Sequence, residues 1–552
     1  MKFKKIFALG FAAFALALAS CSNDELEGGD LNPTESGKGY LTVAFTTNTN
    51  SSRAVVDDNT GDGDGSSENS GHTQLGTTEE NTVNSVLVLG VNTANPAASF
   101  TQYYTNIASD FTNETVQGEK QLTTAKAIEV ATGTYDVNVI VNPSSEILGM
   151  TATQIKEYAF KGGETLETAL AKVIGEGKNS FMMSGRESSS ITVAAKHNTE
   201  ANAATGSAIN VERVVSKIAF RPTKDLTDKA GNKCPVNVYP IQFTHTETTV
   251  NTTTGEATST TDTENWYVKI ERYALVNLSK DLYAVRHKSA DFSAVTTGGT
   301  LGATDYIVDP NSAAKNALTI SSTWTGGSTY FFQTLSDITN DSKNTSSWTY
   351  FQNIPDGTET NNNEGGEVSS AHNGIKYIGT PLSYCFENSV KNDKMCLGLS
   401  TGIAFQAKIY KDKDCTQAID KELYKYAGNF YTTLANLKAT YKDDAAFQAL
   451  TESSTDEELE ALGIAHYKGG NCYYYTSQIK HYDNGDNTTC GVMEFAIMRN
   501  NIYSLAVESI DNIGEATLKP FTPNIPDEEP KTYIKVSAKI LPWIVRFNNI
   551  KF

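Results

Sequence analysis

The chain is predicted to be mainly β: two β-sandwiches in series, with long polar loops and a few helices in the second half. Three observations predict it. Thr, Ser, Asn, Gly and Tyr are abundant while only 39% of residues are apolar, a mix that suits half-buried strands better than helical bundles. Short alternating or continuous apolar runs recur between polar and glycine-rich stretches, the pattern of strands separated by turns. At 552 residues the chain is too long for one core, so two domains with large insertions are expected.

The first segment addresses the chain to the cell surface. Lys2, Lys4 and Lys5 form a basic n-region, followed by an apolar run over residues 6–18 that is too short to span a bilayer. Leu18-Ala19-Ser20-Cys21 looks like a bacterial lipobox, in which small residues admit the peptidase and the thiol accepts diacylglycerol. Residues 1–20 are therefore read as a signal peptide and Cys21 as the lipidated N-terminus. Ser22-Asn23-Asp24-Glu25 resembles the acidic export tail of surface lipoproteins in the Bacteroidota. The expected location is the outer membrane, tethered by lipid, at the cell surface.

Residues 22–38 are too polar to form a core. A strand follows over 40–46, with Leu41, Val43 and Phe45 on one face. Next stands Ser51-Ser52-Arg53-Ala54-Val55-Val56, and then a polar run over 57–81 read as a solvated linker. Asp58, Asp62 and Asp64 imitate a calcium loop, but Asn69 occupies the place of the required bidentate glutamate. Strands are expected at 83–91, 134–141 and 190–195, with a helical stretch over 152–174 interrupted by Gly162-Gly163. Residues 208–220 read as one fresh strand, which puts a domain boundary just before it and makes 54–207 the first sandwich.

The second sandwich is expected over 208–530, with low-complexity surface loops at 247–264 and 355–374. Residues 420–463 read as a helical region, with a capping box at Thr455 and Glu458 and a stop at Gly463. Strands are expected at 472–482, 491–499 and 501–510, then a proline-marked connector from Pro523 to Pro530. A terminal strand pair closes the chain. Ile534, Val536, Ala538 and Ile540 alternate with polar or charged residues, and beyond Pro542 so do Trp543, Val545 and Phe547 with Ile544 and Arg546. A proline cannot donate to a central ladder, so Pro542 is expected to separate two segments with different partners.

No chemistry-bearing constellation appears. The net charge of −19 argues against nucleic acid or an anionic membrane surface as partner. Six cysteines remain beside Cys21, none in a C-x-x-C pair, so up to three disulfides and free buried thiols both stay open. The seven histidines show no metal-ligand spacing, and His481 reads as a polar residue at a hairpin end. There is no nucleophile elbow, phosphate loop or dinucleotide fingerprint. Tyr473-Tyr474-Tyr475 and Trp266-Tyr267 suit cross-strand packing better than stacking on sugars. Catalytic residues, metal and cofactor are each read as none.

Four features in order resemble the type V pilins of the Bacteroidales, in particular the major-subunit family of minor fimbriae. They are the lipobox; the short strand followed by Arg53-Ala54; the stretch Val211 to Phe220, similar to the family's VxRxxAKI strand with Ser216 in place of alanine; and Met498-Arg499-Asn500-Asn501-Ile502-Tyr503 followed by a strand, the connector and Ile540-Leu541-Pro542-Trp543-Ile544-Val545. The resemblance implies tandem Greek-key, transthyretin-like sandwiches and no enzymatic activity. It implies that a trypsin-like surface protease cuts between Arg53 and Ala54, so that 21–53 is a lipidated propeptide. Loss of the strand bearing Leu41, Val43 and Phe45 would then open a groove. A donor strand from residues 531–552 of an identical or related subunit, bearing Trp543, Val545 and Phe547, would fill it. The implied role is a polymerising stalk subunit supporting adhesion. An anchor or tip subunit, or a surface glycan-binding lipoprotein, are the alternatives.

Overall fold

The computed structural model describes residues 37–46, 74–75, 77–116, 119–221, 226–251, 253–290, 292, 302, 304–340, 348–350, 380–419, 422–481, 484–519, 521–529 and 534–544. The chain is mainly β, as expected. A nine-stranded sheet and a three-stranded sheet are built almost wholly from residues before 214, and an eight-stranded and a five-stranded sheet almost wholly from residues after 215. Two large apolar clusters lie behind them, one centred on the first pair of sheets and one on the second.

Val86–Val91 is buried at every position and runs antiparallel between Phe100–Tyr104 and Gly133–Val141. A strand covered on both faces cannot afford polar alternation, which is why its sequence is a continuous apolar run. Ala152–Lys156 and Leu166–Ile174 are the two helices expected around the Gly162-Gly163 break. Gly162 is needed for close approach: a Cβ there would sit 2.2 Å from the Lys280 carbonyl oxygen.

Residues 208–220 are two strands rather than one. Ile209–Arg213 pairs with Met183–Gly185 and with Ala44–Thr46 in the first sheet system. Ser216–Arg221 pairs with Asn501–Ile510 and Thr380–Cys385 in the second. The chain changes sheets at Val214 and Val215, both fully buried, so the turn itself is apolar and carries no glycine, proline or asparagine to mark it.

The threonine-rich stretch 247–264 is not a loop. It forms much of a long hairpin between Val238–Val250 and Ala257–Val276, paired from Val238↔Lys269 to Val250↔Ala257. Threonine has high strand propensity, and cross-strand hydroxyls bond at 2.9 Å in Thr244–Thr263 and Thr248–Ser259. The other low-complexity stretch, 355–374, lies outside the described residues.

The region 420–463 opens with strands Leu423–Tyr426 and Asn429–Tyr431, and only then gives three short helices, Leu434–Thr440, Ala445–Ala449 and Asp456–Ala461. The capping box is present, with Thr455 accepting from the Glu458 N–H and Glu458 from the Thr455 N–H. Gly463 stops the helix at φ 76°. Replacing Thr455 by alanine should cost about 1 kcal/mol, read as a lowered thermal midpoint with unchanged spectra.

Two further expectations are corrected. Residues 491–499 form turns and an isolated bridge from Asn388 to Ile497, not a strand, because Glu494 folds its carboxylate back onto the N–H of Gly491 at 2.6 Å. Pro542 does not break the strand, although the pairing partner changes there as expected, from Asn501–Ile510 to Gln74–Leu75. Ile534–Ile544 is one strand, and Pro542 sits in register opposite Asn501. Between 534 and 542 this strand is paired along one edge only among the described residues, and an edge tolerates a residue without an N–H.

Candidate functional site: the first strand and the junction behind it

The strand expected over 40–46 is present, as two short strands, and unusually placed. Lys38–Thr42 runs between Ile128–Ala131 and Ala204–Thr205 in the three-stranded sheet, with Leu41 opposite Ile128 on one side and Ala204 on the other. Ala44–Thr46 then enters the nine-stranded sheet between Glu119–Thr124 and Ile209–Arg213, with Phe45 opposite Leu122 and Ile209. Val43 is the crossing point: its N–H donates to the Thr124 hydroxyl at 3.2 Å, and its carbonyl accepts from the Thr124 N–H at 3.0 Å. One short segment is therefore an interior member of two sheets.

Its side chains fill the space between them. Leu41, Val43 and Phe45 are 0%, 1% and 0% exposed. Phe45 meets Phe111 edge-on at 5.5 Å. Alternation puts all three on one face, so the first core depends on a segment at the far N-terminal end of its domain. Gly39 permits close packing, since a Cβ there would lie 2.6 Å from Val193.

The two sequence motifs at 211–220 and 498–503 meet behind this strand. Arg213 donates through Nε to the Glu80 carbonyl at 3.2 Å and through its guanidinium to the Asn81 side chain. Lys217 pairs with Glu80 at 2.5 Å, and the Tyr384 hydroxyl donates to the same carboxylate at 2.7 Å. Burial pushes Glu80 up, but Lys217 and Arg213 outweigh it and hold the carboxyl below its ordinary value. Burial likewise pulls Arg213 down to about 10, opposed by Glu80. The Asn500 side chain accepts from the Arg213 N–H at 3.1 Å, and the Ser216 hydroxyl donates to the Met498 carbonyl. Arg499 reaches Glu387 at 2.6 Å, and Arg286 clasps Glu212, with Nε at 2.7 Å. Three buried ion pairs thus gather where the chain crosses from one sheet system to the other.

Sequence reading missed Glu80, because it assigned 57–81 to a linker. Thr78–Asn81 is a helical turn with its own capping box, Thr77 to Glu80. The T-x-x-E spacing was the available signal.

The other expected site residues fall elsewhere. Trp543 is opposite Gln74 and Ile544 opposite Leu75, in the five-stranded sheet of the second half, not in the sheets that hold Leu41, Val43 and Phe45. Cys21, Arg53, Ala54, Val545 and Phe547 lie outside the described residues. His481 is fully buried, within 3.1 Å of the Tyr503 hydroxyl, rather than at an exposed hairpin end. Trp266, Tyr474 and Tyr475 are interior, so these rings offer no sugar-stacking platform. Six cysteines are free thiols, and burial pushes those of Cys385 and Cys472 up to about 12. Among the described residues no cluster of three or more His, Cys, Asp or Glu could hold a metal ion. A cleft of about 270 Å³ is lined by Lys156, Arg186, Glu187, Arg286, His287 and Lys288 among others, and Lys156, Arg286 and Lys288 there are paired with carboxylates.

Fold and site together define a mainly-β structural protein organised around its first strand. Residues 465–549 match the family described as "Major fimbrial subunit protein type IV, Fimbrillin, C-terminal". The match spans the C-terminal part of this chain, and the members of that family are structural fimbrial subunits rather than enzymes. A comparison with curated proteins finds no match. Among solved structures, the chain is similar to a fimbrilin (FimA) from Porphyromonas gingivalis, at 14% identity over 92% of this chain and 99% of that one, TM-score 0.36. It is also similar to a candidate cell adhesion protein from Parabacteroides distasonis, at 12% identity over 92% and 99%, TM-score 0.38. A third, from Bacteroides eggerthii, aligns at 11% identity over 93% and 99%, TM-score 0.35.

Proposed function

We propose that the chain is a stalk subunit of a cell-surface fimbrium that polymerises by protease-triggered donor-strand exchange. The single observation carrying this reading is the position of the first strand. It is interior to two sheets and supplies three fully buried side chains. Arg53 follows it in sequence by seven residues after Thr46, so a cut between Arg53 and Ala54 severs the strand from the rest of the chain. Its departure would expose apolar surface worth about 1.5–3 kcal/mol per side chain and leave the partner strands with open backbone groups. Such an edge accepts an added strand, with backbone bonds giving affinity and alternate side chains giving register.

The donor is the segment that begins at Trp543. Among the described residues, pairing with Asn501–Ile510 ends at Pro542, and Trp543, Val545 and Phe547, which follow it in sequence, match Leu41, Val43 and Phe45 in spacing. In this reading the chain comprises the signal peptide, a lipidated propeptide to Arg53, two sandwich domains and the donor segment. Their junction is at Val214–Val215, where the strand pairing changes sheets. Before processing, Cys21 holds the precursor in the outer membrane.

Mass spectrometry of protein sheared from cells tests this. The mature N-terminus should be Ala54, and Arg53→Ala should yield a folded, monomeric, lipid-bound precursor. An Arg53→Ala protein that assembles as the wild type does would remove cleavage as the trigger.

A further inference from the structure

We propose that the connector ahead of the terminal strand is a proton-loaded latch, docked tightly into the second half of the molecule in acid and loosened as pH rises to neutrality, so that pH sets how readily the terminal strand is released. The inference rests on the donor-strand reading, and it is argued from a buried cluster that the reading does not use.

Residues 523–528 are stitched down by their backbone. The Pro523 carbonyl accepts from the Gly398 N–H at 2.8 Å, the Ile525 carbonyl from the Leu397 N–H at 3.0 Å, and the Asp527 carbonyl from the Gln478 side chain at 2.9 Å. Two acidic side chains follow the backbone inward. Asp527 is 1% exposed and Glu528 4%. The hydroxyls of Ser400 and Ser477 both donate to the Asp527 carboxyl group. Glu528 lies 2.9 Å from the Lys480 ammonium, which also lies 3.0 Å from the fully buried Glu494. Glu494 accepts in addition from the N–H groups of Gly491 and Asn484. Other titratable groups beside the cluster include Cys396, Cys490 and Tyr475, whose thiols and hydroxyl burial keeps protonated, and His481, whose backbone N–H donates to the Glu494 carbonyl.

Among the described residues, three carboxyl groups therefore share this interior with the Lys480 ammonium. Ionising all three would leave two uncompensated charges away from water, which is costly. Protons are the available remedy. Burial pushes Asp527 up to about 7 against its serine hydrogen bonds. Burial also pushes Glu528 up to about 7, Lys480 opposing and Glu494 reinforcing. A released connector exposes the same groups to water, where a carboxyl loses its proton near pH 4. The docked state thus binds more protons between about pH 4 and pH 7, so docking weakens as pH rises through that window and is level above it. Ile534 begins five residues after Glu529, so a loosened connector lengthens the arm that carries the terminal strand.

Hydrogen exchange on the intact Arg53→Ala precursor, which stays monomeric under the reading above, tests the latch directly. After correction for intrinsic exchange, protection of peptides covering 521–529 should fall at least about tenfold between roughly pH 5.5 and pH 8, with peptides covering 534–544 following, while 86–91 stays level. Asp527→Asn with Glu528→Gln should flatten the profile. Glu494→Gln, which removes one carboxylate and leaves the connector's own residues unchanged, should raise its protection near neutrality. Protection that is independent of pH in the unaltered cluster, or an unchanged fall in the double variant, overturns the proposal. A flat profile together with normal Arg53-dependent assembly rejects the latch alone, whereas a pH-sensitive profile with no such assembly rejects the donor-strand reading alone.

Discussion

Deleting residues 543–552 should abolish filaments and barely change the melting temperature of the monomer. The ladder between Asn501–Ile510 and the terminal strand runs from Ile510↔Ile534 to Asn501↔Pro542, and the deletion leaves all of it. Among the described residues, what is lost from the chain's own fold is the two-residue parallel contact with Gln74–Leu75. What is lost to a neighbour, under donor-strand exchange, is the occupant of a groove lined by Phe111, Leu122, Ile128 and Ile209. A finer version separates faces. Val545→Asp would bury an unpaired carboxylate between subunits, at a cost of several kcal/mol, and should prevent assembly. Arg546→Glu, on the alternate face, should be far milder. Polymer yield and thermal midpoint measured on the same preparations decide the matter. A deletion mutant that melts well below the parent, or that still forms filaments, would falsify the donor assignment.

Glu80→Ala should destabilise the molecule by about 3–5 kcal/mol, the usual effect of removing one partner from a buried ion pair. The substitution takes the paired carboxylate from the Lys217 ammonium and a nearby counter-charge from the Arg213 guanidinium, both buried. Glu80→Gln keeps the shape and should cost less. Combining Glu80→Ala with Lys217→Met should recover part of the loss, because the stranded cation is gone. The Glu80 carboxyl is held below its ordinary value, so its contribution is present above the unfolded carboxyl's pKa and is lost as pH falls through the depressed native value. Chemical denaturation at neutral and at acidic pH checks both statements: the gap between parent and Glu80→Ala should narrow in acid. An equal gap at both pH values would show that the carboxylate's charge is not what holds the junction.

This second result would also bear on processing. Residues 77–81 follow the proposed Arg53–Ala54 cut in sequence and are clamped to strands of both sheet systems through Arg213, Lys217 and Tyr384. Excision of the first strand would then leave the remaining chain pinned at its new beginning, confining the change to the groove.

The sequence by itself determined the strand class and the strand at 40–46, because period-two alternation of Leu41, Val43 and Phe45 follows directly from the geometry of an extended chain. It determined the helix ends at Thr455 and Gly463 for the same reason: caps and stops are local chemistry. It marked 211–220 and 498–503 as a pair of motifs without saying why they belong together. Only the tertiary structure decided that Arg213 and Asn500 meet, and that Arg213 and Lys217 hold Glu80, since those contacts join residues separated by 133 to 287 positions and no local pattern encodes distance in space. Only it decided that 208–220 crosses between sheets, that the threonine-rich stretch is a hairpin, and that the terminal strand continues through Pro542. In each case the choice lay between partners rather than conformations. A strand's propensity is written in its own residues, but which edge it joins is settled by the surfaces it buries and the charges it finds there.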